Sequence, residues 1–143
     1  MAFDINDLDK GSTFFWIDNK GLDYEITKEE AILKVLEKKF TVKVEGMERL
    51  EANSKTVHMF ISPKKSKSFT AHTDEVDLKI LCIDGRKGFE VDGTDVVLEK
   101  DHYVLVPKGT PHRAINKYDS VILSVEVRIP EDYPKLIKNR YKA

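Results

Sequence analysis

The pattern of apolar and polar positions changes period once along the chain. After Thr27 the apolar residues fall at Ala31, Ile32, Leu33, Val35, Leu36 and Phe40. Thr27 with Glu30 three residues on makes a capping box, which predicts an amphipathic helix of about three turns. Lys28, Glu29, Lys34, Glu37 and Lys38 then form its solvated face. From Phe40 the period drops to two. Residues 40–46 and 56–62 alternate like half-buried strands, with a polar connection between them. Further short alternating runs follow at 69–83, 86–91, 94–98, 103–106, 112–116 and 120–128, separated by turn residues. Strands this short and dense predict a mainly β protein, a sandwich or barrel of antiparallel strands. Before the helix, residues 1–24 scatter Phe3, Phe14, Phe15, Trp16 and Tyr24 among Asp, Asn and Gly. Irregular structure with one strand over 13–17 is expected there, its aromatics packed on the core. The basic tail, 130–143, accommodates a short helix over about 133–140.

Composition narrows the class. With 143 residues the chain has the length of a single domain, expected to span 1–143 around a core at 40–128. Its 24 basic and 25 acidic side chains nearly cancel, so no global charge argues for nucleic acid or a membrane surface. Lys64, Lys65 and Lys67 make a short basic loop that reads as a solvated cluster. The single cysteine, Cys82, excludes an internal disulfide and fits a reducing compartment. No signal peptide or membrane-length apolar run is present, and a soluble, cytoplasmic protein is expected.

Candidate chemistry concentrates in residues 72–116. His72 and Asp74 lie two apart, so on a strand they share a face, and counting on by twos gives Val76, Leu78, Ile80 and Cys82, all apolar. His72 and Asp74 are therefore expected to point inward. Asp84-Gly85 suits a tight hairpin, and Asp92-Gly93 is a second turn signal. On the returning strand Lys87 falls with Phe89 and Val91 on the apolar face. A lysine there needs an anion or a route to solvent. His112 follows Pro107-Lys108-Gly109-Thr110-Pro111, a rigid bend that fixes its placement. Two histidines and one carboxylate with open positions suit non-haem Fe(II). The competing reading, two partly buried histidines and a turn-capping Asp74, accounts less well for Lys87. His58 and His102 lack such company and read as surface or satisfied core residues.

These residues resemble the cupin superfamily. Pro107-x-Gly109-x-x-His112-x-x-x-Asn116 matches the second cupin motif, whereas the first motif's second histidine is replaced by Asp74. His-x-Asp in that place looks like the JmjC-type branch, the Fe(II)- and 2-oxoglutarate-dependent hydroxylases that include asparaginyl hydroxylases. Lys87 also matches that branch, at the position of its co-substrate lysine. The resemblance covers roughly residues 56–127.

It implies a double-stranded β-helix, or jelly-roll barrel. It further implies Fe(II) on His72, Asp74 and His112, and 2-oxoglutarate held by Lys87 with Thr70 and Ser124 as polar partners. The prime substrate, whether peptide, nucleotide or metabolite, is left open. Leu78 stands where the branch carries a polar neighbour. Two alternatives remain. One is a non-catalytic metal-binding cupin, either a sensor or a structural module. The other is a cupin dioxygenase or isomerase that uses no 2-oxoglutarate. Barrels of this kind often dimerise through edge strands, so a homodimer is also an expectation.

Overall fold

The computed structural model describes residues 12–18, 20–46, 57–66, 71–129 and 141–142. Two strands open it, β1 (Thr13–Ile17) and β2 (Asp23–Ile26), followed by the helix α1 (Lys28–Glu37). The expected capping box is present: Thr27 Oγ1 accepts from the Glu30 amide at 3.1 Å, and Glu30 Oε1 accepts from the Thr27 amide at 3.1 Å. Lys38, at φ 58°, closes the helix in the left-handed region. The strands β3 (Thr41–Glu45), β4 (Val57–Ser62), β5 (Asp77–Val91), β6 (Thr94–Glu99), β7 (His102–Val106), β8 (His112–Ile115), β9 (Ser120–Val127) and β10 (Tyr141–Lys142) follow. The mainly β expectation holds. The helix expected over 133–140 and the basic residue Lys67 lie outside the described residues.

All pairings are antiparallel. One layer runs β10-β7-β5-β9-β4-β3-β1-β2, and the other is built on the second half of β5, flanked by β6 and β8. The curled antiparallel sheet is that of a jelly-roll barrel. On one side of the larger layer, Val42, Val44, Met59, Ile61, Leu123 and Val125 pack with Phe14 beneath Ala31 of the helix. Between the layers, Ile80, Cys82, Val104 and Ile122 meet Phe89, Val91, Val96 and Leu98.

Three sequence expectations are corrected. First, Asp84-Gly85 makes no hairpin: β5 runs straight through it, pairing with β9 up to Gly85 and with β6 and β8 from Arg86 onward. The register jumps from Cys82↔Ile122 to Asp84↔Val121, so Ile83 is an extra, bulged residue. Gly85 is required there, because at φ +70° an added Cβ would lie 2.0 Å from the Asp119 carbonyl oxygen. Asp92-Gly93, by contrast, is the tight turn expected, with φ 50° and 78° joining Val91 to its partner Thr94.

Second, β5 starts at Asp77, and His72 precedes it in an isolated bridge to His112. Third, β3 is buried on both faces rather than half-buried, since the helix side takes Val42 and Val44 while Thr41 and Lys43 are enclosed on the other. Strand β2 was not expected, its Asp-Tyr-Glu-Ile alternation running for only four residues. It holds its place by pairing along β1, with Tyr24 stacked on Trp16 at 4.9 Å between ring centres.

Candidate metal centre

Backbone bonding around the 107–111 turn brings the candidate ligands together. The His72 amide donates to the His112 carbonyl at 3.0 Å and the His112 amide returns to the His72 carbonyl at 2.9 Å. Gly109, at φ 77°, turns its amide onto the Asp74 carbonyl at 2.9 Å. Asp77 Oδ1 and Oδ2 accept from the amides of Lys108 and Ile129, each at 2.8 Å. Burial pushes the Asp77 carboxyl up, but those two amides and the Lys108 charge outweigh it and hold it below the usual range.

Three side chains converge as a result. His112 Nε2 lies 3.0 Å from Asp74 Oδ2, His72 Nε2 lies 3.7 Å from it, and all three ligand atoms fit within 4.8 Å of one another. Two ligands at right angles on a metal, each about 2.1 Å away, would themselves sit about 3 Å apart. His112 is 5 % exposed, while the side chains of His72 and Asp74 are 40 % and 33 % exposed, so the trio opens to solvent on one side.

The chemistry of this donor set fits a cation. His112 Nδ1 lies 2.9 Å from the Thr110 carbonyl, an acceptor only, so Nδ1 carries a proton and Nε2 is the nitrogen turned to Asp74. Asp74 Oδ2 is buried and has no hydrogen-bond partner, its approach to His112 being close but misaligned. A buried carboxylate oxygen without a hydrogen bond, turned to a ring nitrogen, is satisfied when a positive ion or a ring proton lies between them.

The same cavity, about 470 Å³, holds Lys87. The Ile83 bulge is what turns it inward: five residues after Cys82, it would face the other side of an unbroken strand. Sequence parity reached the right face by the wrong route. Lys87 is 1 % exposed, and its Nζ donates to Asn116 Oδ1 at 2.6 Å and Ser62 Oγ at 3.1 Å. Burial pushes its ammonium from an ordinary 10.5 down to about 7, against a weaker opposing influence of Cys82.

Ser124 lines the cavity as expected, whereas Thr70 lies outside the described residues. Sequence reasoning missed Ser62 as a partner of Lys87. It also placed His58 away from the site, yet His58 lines the cavity with Lys43 and Phe60 and stands 3.8 Å from Glu45. The signal was available, since His58, Phe60 and Ser62 share one parity on β4. His102 stays outside the cavity lining.

The fold is a jelly-roll barrel in which two histidines and an aspartate converge as a donor set of the kind that could hold a metal ion. Residues 57–126, just under half of the chain, match the family model of the cupin domain, and the fold is consistent with a cupin β-barrel. No curated protein sequence matches it. Among solved structures, the ribosomal oxygenase YcfD from Escherichia coli is similar in fold, with a TM-score of 0.64 at 17 % identity, covering 87 % of this chain and 41 % of that one. The same oxygenase in complex with cobalt and 2-oxoglutarate gives a TM-score of 0.63 at 16 % identity, covering 87 % and 42 %. Its complex with cobalt and succinic acid gives 0.59 at 15 %, covering 85 % and 40 %. This chain thus spans about two fifths of the length of these oxygenases. Among the described residues, no helix is long and apolar enough to cross a membrane.

Proposed function

We propose that this protein is an Fe(II)- and 2-oxoglutarate-dependent oxygenase. The observation that carries the reading is the pairing, in one cavity, of the His72, Asp74 and His112 donors with a buried lysine that has no carboxylate partner among the described residues. A cation enclosed in an apolar barrel is costly, and a ligand carboxylate would offset that cost. The similarity in fold to oxygenases solved with cobalt and 2-oxoglutarate supports the same reading.

In this mechanism His72 Nε2, an Asp74 oxygen and His112 Nε2 would hold the metal. Fe(II) bound there supplies the activation of oxygen coupled to oxidative decarboxylation of the 2-oxo acid. The Thr110 carbonyl fixes the His112 tautomer and ring orientation, so the metal-binding nitrogen needs no rearrangement. Lys87 takes the far carboxylate of the co-substrate, and that negative charge returns the amine to its protonated form. Leu78, Ile80, Phe60, Phe89 and Ile122 wall the space between with apolar surface, which excludes water from the reacting groups. Ser124 offers a hydroxyl on the same wall.

The test is anaerobic loading with Fe(II) followed by titration with 2-oxoglutarate, following the weak visible charge-transfer band. A saturable band is expected at one equivalent of iron. Full iron occupancy without the band would sink the reading and leave a metal-binding cupin that does not use 2-oxoglutarate. That second reading is favoured by one feature: Ser62 and Asn116 already satisfy two donors of Lys87.

A further inference from the structure

Lys87 belongs to a closed ring of side chains. Its Nζ donates to Ser62 Oγ and to Asn116 Oδ1. Asn116 Nδ2 donates to Ser66 Oγ at 3.2 Å and to the Ser66 carbonyl at 3.0 Å. Ser66 Oγ lies 3.3 Å from Thr41 Oγ1, which lies 3.1 Å from Ser62 Oγ, and the circuit returns to Lys87. Thr41 and Ser62 are fully enclosed and Ser66 is 7 % exposed. Lys87 lines the cavity, but Thr41, Ser62, Ser66 and Asn116 do not. The four therefore stand behind the amine and can reach a ligand only through it.

Donor bookkeeping gives the ring a consequence. An ammonium has three N–H groups, and two are committed to Ser62 and Asn116. Fixing two of three tetrahedral directions fixes the third. Ser62 and Asn116 are in turn fixed from behind: Thr41 holds the Ser62 hydroxyl, and Ser66 holds the Asn116 amide in the orientation that presents its oxygen to Lys87. Without Thr41 and Ser66, Ser62 could rotate its hydroxyl and Asn116 could reverse its amide. The lysine would then meet the Ser62 O–H or the Asn116 N–H2 where it now meets acceptors.

Resting on the proposed co-substrate role of Lys87, we infer that Thr41 and Ser66 are positioning residues for anion recognition, holding the Ser62 and Asn116 acceptors so that the remaining Lys87 donor points at a carboxylate in the cavity. Neither touches the ligand. The chain thus tunes its affinity for a dicarboxylate from strand β3 and the 63–66 turn, two elements on the far side of the lysine.

The experiment compares Thr41→Val, Thr41→Ser, Ser66→Ala and Lys87→Met in the full chain, each loaded anaerobically with Fe(II) and titrated with 2-oxoglutarate. Iron affinity and melting temperature are measured alongside. Thr41→Val is expected to weaken 2-oxoglutarate binding about tenfold, the size of a hydrogen bond to a charged group, with iron affinity unchanged. Thr41→Ser should restore it, because the hydroxyl rather than the methyl does the positioning. If Thr41→Val does not fold, Ser66→Ala is read in its place, with a smaller weakening of a few-fold expected because the Ser66 backbone carbonyl still holds Asn116 Nδ2. Lys87→Met tight as wild type would overturn the co-substrate role and this inference with it. Lys87→Met weakened while Thr41→Val and Ser66→Ala bind as wild type would overturn this inference alone. So would a Thr41→Ser variant that stays as weak as Thr41→Val, since the defect would then be one of packing.

Discussion

At the scale of single residues, Lys87 carries the largest electrostatic burden in the chain. Its ammonium titrates near 7 in the fold and near 10.5 when unfolded. Between those values the unfolded chain binds more protons than the folded one, so stability rises with pH across that window. Below it, both states hold the charge and the fold bears the whole desolvation cost; above it, both are neutral and the cost is gone. In the metal-free protein without 2-oxoglutarate, stability from denaturant titration should therefore climb between pH 7 and pH 9.5. Lys87→Met should flatten that climb by an amount on the order of a few kcal/mol. The difference between the two proteins isolates Lys87 from the other groups that titrate there. Parallel pH profiles would mean that the amine keeps its ordinary ionisation in the fold by reaching solvent or an anion. At neutral pH the variant gains from losing the buried charge and loses a partner for Asn116 Oδ1, so the slope is the diagnostic quantity.

Among the elements, β5 decides where the chemistry sits, and its bulge decides which way Lys87 faces. Gly85→Ala combines a left-handed φ of +70° with backbone atoms of Asp119 inside the space a methyl group would take. Gly93→Ala has the left-handed φ of +78° but nothing within 4 Å. The second should cost about 1 kcal/mol, and the first at least twice that, with weakened 2-oxoglutarate binding as Lys87 shifts. Equal costs on denaturant unfolding would show that β5 and β9 part easily at the bulge.

The same comparison explains how far the chain could be read in advance. Asp92-Gly93 and Asp84-Gly85 are the same dipeptide between apolar runs, yet one reverses the chain and the other kinks a continuous strand. What separates them is a tertiary partner: Ser120 of β9 pairs with Gly85 and carries β5 onward. No local signal encodes that. The α1 capping box was legible because its two hydrogen bonds lie within four residues. Strand β2 was not, since its alternation lasts only four residues and pairing with β1 is what makes it a strand. The ring behind Lys87 was illegible for a like reason, because Thr41, Ser62 and Ser66 meet only once β3 and β4 are in register.

For the whole molecule, the ligand trio ties the segment ahead of β5 to the start of β8, two places otherwise joined by the paired His72 and His112 backbone bonds. A metal that binds only the folded arrangement stabilises it by mass action, by about 2.7 kcal/mol when present at a hundred times its dissociation constant. For a chain of this size that raises the melting temperature by roughly 10 °C, and a chelator should reverse the gain. Asp74→Ala should abolish the metal-dependent shift. Measured without metal, the same variant should melt no lower than wild type, because the lost Oδ2 is buried and makes no hydrogen bond. The Asp74 backbone carbonyl, which holds Gly109, survives the substitution. A carboxylate there for structural reasons would give the opposite pair of results: a lower melting point without metal and an undiminished shift with it. The two melting curves therefore separate a ligand from a structural cap without any knowledge of the substrate.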